Sequence, residues 1–99
     1  MITQLAPADR EAALEALPLW RYDETRKALH RQLRFADFGQ ALAAMVRIGL
    51  EAEKADHHPE WANVYNVLDI WLTTHDAAGV SDRDLKLAQQ IDIIASGAI

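Results

Sequence analysis

Residues 60–74 read EWANVYNVLDIWLTT, and the way this run folds decides the architecture of the chain. β-Branched and aromatic residues dominate it: Trp61, Val64, Tyr65, Val67, Ile70, Trp71 and two threonines. Such residues suit a pleated, half-buried surface. Asn66 marks a tight turn, so the run is predicted to form two strands of one hairpin. In the second strand Leu68, Ile70, Leu72 and Thr74 alternate with Val67, Asp69, Trp71 and Thr73. Period two sends these sets to opposite faces, the first to a core and the second to solvent or a partner.

Upstream, LWRYDE (19–24) and ALHRQLRF (28–35) read as a second hairpin turning near Glu24 and Thr25, with Leu29, Leu33 and Phe35 on one face. His30 is then on the wet face. Between the hairpins, DFGQALAAMVRIGLEAEK (37–54) is a helix, capped by Asp37 with Gln40 in the capping-box position. Phe38, Leu42, Met45, Val46 and Gly49 follow helical spacing. A first helix is predicted from Pro7 to about Leu17, stopped by Pro18. THDAAGVS (74–81) is a loop in which Gly79 is free to take positive φ. Ser81 caps a last helix, with Asp84 three residues on and a stripe of Leu85, Ala88, Ile91 and Ile94–Ala95. The order is α-β-β-α-β-β-α, an α+β fold whose antiparallel sheet is covered by helices on one face.

The chain has 99 residues, enough for one domain, 1–99, with one modest core. It is 51% hydrophobic and 25% charged, which argues against disorder. There is no cysteine, hence no disulfide, thiolate nucleophile or Cys-based zinc site; this fits a reducing compartment. The first residues lack a basic start followed by an apolar run, and ALAAMV is far too short to span a bilayer. A soluble, cytoplasmic protein without a membrane association is expected. A net charge of −5 disfavours phosphate backbones and anionic surfaces. Five of the ten Lys and Arg residues fall between Arg21 and Arg34, and these are read as a solvated strand face rather than a nucleic-acid patch.

Three of the four histidines sit at the ends of elements. His57 and His58 precede the third strand, and His75 follows the fourth. In a hairpin the start of one strand lies beside the end of the other, so the three imidazoles should converge, with Glu53, Asp56, Asp76 and Asp84 within reach. Helix C-capping would explain one histidine but not three. A metal site is a second reading, although adjacent histidines diverge and the familiar zinc spacings are i, i+2 or i, i+4. General acid–base work ranks first, because imidazole titrates near neutral pH.

The run EKADHHPEWANVYNVLDIWLTTHDAAGVSDRD (53–84) resembles the signature of pterin-4a-carbinolamine dehydratases. The match takes in Glu53, Asp56–His57–His58–Pro59–Glu60–Trp61, Asn63, Tyr65, Asn66, Thr74–His75, Ala78–Gly79, Ser81 and Arg83–Asp84. Trp20 and the FADF run leading into the second helix also look like the family. The resemblance implies a four-stranded antiparallel sheet with three helices on one side. It implies removal of water from a 4a-hydroxytetrahydropterin to give the quinonoid dihydropterin, in tetrahydrobiopterin recycling, with no metal and no bound cofactor. By the same resemblance, His57 and His75 flank the reacting carbon and His58 contacts the pterin, so all three are the expected catalytic set. Pro59, Thr74, Asp76 and Ala77 line the substrate pocket, and Trp61 is its wall. Glu53 is a supporting residue, as is Asp84, expected to orient His75, to cap the last helix, or both.

Ala77 stands where some members have cysteine, Ala62 where some have a large aromatic, and Trp71 is larger than expected on its strand. Trp71 is therefore a candidate subunit contact. The resemblance further implies a homodimer or homotetramer, in which second helices pack through Ala41, Ala44, Met45 and Gly49. It also implies a functional link to an aromatic amino acid hydroxylase. The alternative is a non-enzymatic dimerisation, coactivator or assembly-factor role on the same fold.

Overall fold

The computed structural model describes residues 2–98; Met1 and Ile99, which the expected 1–99 domain includes, lie outside the described residues. The elements are α1 (Pro7–Leu14), β1 (Arg21–Asp23), β2 (Ala28–Arg34), α2 (Phe38–Ala55), β3 (Glu60–Val64), β4 (Val67–Leu72), a 3-10 turn (His75–Ala77) and α3 (Asp82–Ile94). The four strands form one antiparallel sheet in the order β1-β2-β4-β3. The two expected hairpins are both present, and β2 pairs with β4 through Leu29 opposite Leu72 and Leu33 opposite Leu68. Leu29, Leu33, Leu68, Ile70 and Leu72 are all buried on the face toward α2 and α3. The alternation read from the second hairpin is therefore the pattern that closes the core.

α1 stops at Leu14 rather than near Leu17. A proline disfavours helical geometry in the residue before it, and Pro18 releases Leu17 from the helix so that its side chain is buried. Arg10 of α1 lies over the Tyr22 ring, 3.5 Å from its centroid, on the face that Tyr22 shares with Leu29. All three helices thus lie on one side of the sheet.

α2 begins as expected, with the Gln40 backbone N–H donating to Asp37 Oδ1 at 2.8 Å. The return half of the cap differs: Gln40 Oε1 accepts from the N–H of Ala36, at 3.3 Å. The orientation of α2 is a larger correction. Its buried residues are Ala41, Ala44, Ile48 and Ala52, so the face on the sheet is mostly alanine. Small side chains let a helix backbone sit close to the strands. The bulkier residues Phe38, Leu42, Val46 and Leu50 are left exposed. Ala41 and Ala44 are therefore core residues and cannot pack against a second copy.

Ser81 and Asp84 form the expected capping box at the start of α3. The α3 stripe is rotated slightly: Leu87 is buried while Leu85 is only half-buried. Gly79 does not take positive φ; Ala78 does, at 57°. Gly79 instead provides room, since a Cβ there would stand 2.6 Å from Gln4 Nε2.

The outer face of the sheet is partly covered by its own side chains. His30 stacks on Trp71 with ring centroids 4.8 Å apart, and its Nε2 is 2.9 Å from Asp69 Oδ1. Arg26 lies over the Trp71 ring, 3.7 Å from its centroid, and Trp71 Nε1 donates to Asp23 Oδ2 at 3.2 Å. The Arg26 backbone N–H, with help from Trp71, holds the Asp23 carboxyl below the usual aspartate value. Arg31 departs from the solvated-face expectation. It shares the core face with Leu29 and Leu33, and reaches Asp92 of α3 at 2.5 Å, beside the Trp20 indole that donates to the same oxygen at 2.8 Å.

Candidate active site

α2 ends in a left-handed residue, Asp56, with φ 50° and ψ 43°. The His57 N–H then bonds back to Ala52 O at 3.1 Å and the Asp56 N–H to Glu53 O at 3.1 Å, a Schellman-type closure. Aspartate tolerates this conformation better than most residues. The reversal separates the adjacent histidines: His57 is turned inward and His58 outward.

The His57 side chain is 9% exposed, and its Nε2 stands 2.5 Å from Asp84 Oδ1. Asp84 is fully buried. Its second oxygen accepts from Thr74 Oγ1 at 2.8 Å and from the Ser81 N–H at 2.9 Å. Since Thr74 gives its only hydroxyl hydrogen to Asp84, the 2.6 Å contact between Thr74 and Ser81 has Ser81 as donor. The Arg83 N–H in turn donates to Ser81 Oγ at 3.3 Å. This chain ties together the α2–β3 corner, the end of β4 and the first turn of α3. A carboxylate only accepts, so in the neutral imidazole the ring hydrogen of His57 belongs on Nε2, which leaves Nδ1 as the acceptor.

The other two imidazoles are also paired with acids through Nε2, but at the surface. His58 meets Glu53 Oε1 at 2.9 Å with side chains 58% and 79% exposed. His75, on the 3-10 turn, meets Glu60 Oε2 at 2.9 Å with side chains 83% and 46% exposed. Exposed pairs of this kind are screened and hold geometry weakly, whereas the buried His57–Asp84 pair is rigid. Among the described residues no three His, Cys, Asp or Glu side chains are gathered as ligands of a single ion.

An open hollow of about 410 Å³ lies between these groups. His57, His58, Pro59, Thr74, His75 and Asp76 of the expected set all line it. Trp61 and Ala77 do not. Trp61 pairs with Ile70 and packs against the core on the helix side of the sheet, and Ala77 is a half-buried part of the 3-10 turn. Glu53 stands behind His58 rather than in the hollow. Asp84 holds His57, not His75, because the capping box pins its carboxylate at the buried end of α3 while the 3-10 turn carries His75 out to the surface.

Four lining residues had been assigned no role in the site: Asp56, which was expected only within reach of the imidazoles, Glu60, Thr73 and Arg83. Asp56, Glu60 and Arg83 belong to the family-like run of the sequence, and Thr73 follows from the hairpin. Glu60 pairs with Trp71, and continuing that register places residue 58 across from residue 73.

The family profile described as pterin 4 alpha carbinolamine dehydratase matches residues 3–94. A protein of Rhizorhabdus wittichii named "Putative pterin-4-alpha-carbinolamine dehydratase" is 52% identical over 94 residues, covering 95% of this chain and 97% of the relative. One of the same name from Burkholderia vietnamiensis is 47% identical over 96 residues, covering 97% of this chain and 94% of the relative. The crystal structure of "transcriptional coactivator/pterin dehydratase" from Brucella melitensis is 41% identical, with a TM-score of 0.91 over 94% of this chain and 99% of that one. With a profile and relatives that span nearly its whole length, and with the fold and the histidine hollow described above, the chain belongs to the pterin 4 alpha carbinolamine dehydratase family.

Proposed function

We propose that the chain removes water from a 4a-hydroxytetrahydropterin, with His57, His58 and His75 as the catalytic set. The observation that carries this reading is one hollow edged by three imidazoles, one of them backed by a fully buried carboxylate. Dehydration breaks the bond from C4a to its hydroxyl, which leaves as water once protonated. The N5 hydrogen departs as a proton, and its electron pair closes the C4a=N5 bond of the quinonoid product. No oxidant enters, so the protein must supply only a proton donor and a proton acceptor. In this reading His57 takes the N5 proton on Nδ1, because Asp84 occupies its other nitrogen. His75 serves the departing hydroxyl across the hollow, and His58 holds the ring. Such a product is reduced and reused, so an aromatic amino acid hydroxylase that consumes tetrahydropterin is the expected source of the substrate.

The direct test is quinonoid product formation from chemically generated 4a-hydroxytetrahydropterin. The wild type should exceed the spontaneous rate, and His75→Ala should lower kcat/KM about 100-fold, within the range typical of one acid–base group. His75 is exposed, so this variant should keep its stability. A wild type no faster than buffer would sink the dehydratase reading.

The exposed stripe on α2 supports assembly with further copies of the chain. Phe38, Leu42, Val46 and Leu50, 45%, 47%, 56% and 62% exposed, repeat every four residues on one face. Contiguous apolar surface of this kind marks an interaction site. Sedimentation at micromolar concentration should show an oligomer, and Leu42→Asp with Val46→Asp should reduce it to smaller species. Finding the wild type wholly monomeric would refute this assignment. A non-enzymatic binding role would use the same face.

A further inference from the structure

A second hollow, of about 450 Å³, lies on the other side of His57, in the groove between the C-terminal end of α2 and the first turns of α3. It shares two wall residues with the histidine hollow, His57 and Arg83, so the two spaces are neighbours with these side chains between them. Its character is different. Lys54, Arg83 and Lys86 face it, against a single carboxylate, Glu51. Glu51 is engaged by Lys54 at 3.3 Å. Among the described residues neither the Arg83 guanidinium nor the Lys86 ammonium takes part in an ion pair. The excess of positive charge is local: the chain as a whole carries −5.

We propose that this groove is a subsite for an anionic group at the end of the substrate's C6 arm, and that the preferred substrate is a pterin whose side chain carries a phosphomonoester. The proposal rests on the dehydratase reading of the histidine hollow and extends it. In a pterin, C6 is separated from the reacting C4a by N5 alone, so a ring held among the histidines sends its C6 arm out at short range. Such an arm would reach the groove by passing over Arg83, the exposed one of the two residues that line both hollows. Two unpaired cations with a third beside them match a dianion better than a hydroxyl. Arginine and lysine are the groups that recognise phosphate, by planar donors and by point charge respectively.

The experiment compares two chemically generated 4a-hydroxytetrahydropterins, one with a dihydroxypropyl arm and one with the same arm ending in a phosphomonoester. For the wild type at low ionic strength, kcat/KM for the phosphorylated substrate should exceed that for the neutral one by about tenfold, a modest return for charge-assisted contacts at a partly exposed site. Lys86→Gln should bring that ratio close to one, and Lys86→Arg should preserve it. Rising salt should shrink the ratio in the wild type, because exposed charges are screened; a merely structural role for Lys86 would not move with salt. Turnover of both substrates at equal efficiency, or a ratio unaltered by Lys86→Gln, would overturn the subsite and leave the dehydratase reading standing. An equal preference for an arm ending in a carboxylate would overturn the assignment to phosphate. Acceleration of neither substrate would remove both the subsite and the activity on which it depends.

Discussion

Asp84→Ala is expected to destabilise the protein by about 3–5 kcal/mol, the usual cost of removing one partner from a buried ionic network. Three donors lose their acceptor at once: His57 Nε2, Thr74 Oγ1 and the Ser81 N–H. None can turn to solvent without moving, since Thr74 and Ser81 are 4% and 1% exposed. A domain of this size has roughly 5–15 kcal/mol in total, so urea unfolding should show a large drop in midpoint. Asp84→Asn separates position from stability. Thr74 and Ser81 both donate to the same oxygen, Oδ2, and the asparagine carbonyl can take that place. Its NH2 then faces His57, where only a bare Nε2 is tolerated. The ring hydrogen must move to Nδ1, and His57 can no longer accept a proton there. The expected result is a far smaller stability loss with a fall in kcat/KM of about a hundredfold or more, the effect of holding a catalytic imidazole in the wrong tautomer. An Asp84→Asn enzyme of wild-type rate would eliminate His57 as the N5 base.

His57→Ala should lower kcat/KM by about 10²–10⁴-fold, the contribution of a positioned acid–base group. Its stability loss should be smaller than that of Asp84→Ala, because the carboxylate keeps Thr74 and the Ser81 N–H as donors and the emptied space opens onto the hollows. That opening supplies a second readout. Added imidazole should enter the space and restore part of the rate to His57→Ala, with a pH profile that follows the added base. No such rescue is expected for Asp84→Ala, where the lost group is walled in. His58→Ala should cost at most about 1 kcal/mol of stability, because its pair with Glu53 is largely solvated. If His57→Ala kept full activity, the inward histidine would be a structural partner of Asp84 and the chemistry would have to rest on the two exposed pairs.

What local sequence makes legible here is what local physics controls. The alternation of Leu68, Ile70 and Leu72 with Asp69 and Trp71 sets the strand faces, because side chains on a strand can point only two ways. Ser81 and Asp84 announce the start of α3, because a capping box needs only four consecutive residues. The hairpin of β3 and β4 then brings residues 57 and 58 near residue 75, and the histidine cluster follows from chain direction alone.

The facing of α2 was not legible in this way. Its large apolar residues and its small ones both recur at helical spacing, and periodicity cannot say which stripe meets the sheet. The choice falls to the gap left by β2 and β4, which alanines and Ile48 fill while Phe38, Leu42, Val46 and Leu50 stay outside. The histidines follow the same division. Their gathering was implicit in the hairpin, but their differences were not. Which imidazole is buried, which acid holds it and which nitrogen stays bare depend on where the α2 corner, the end of β4 and the first turn of α3 meet. These three segments are distant in the chain, and only their packing puts Asp84 behind His57 and leaves His58 and His75 to solvent.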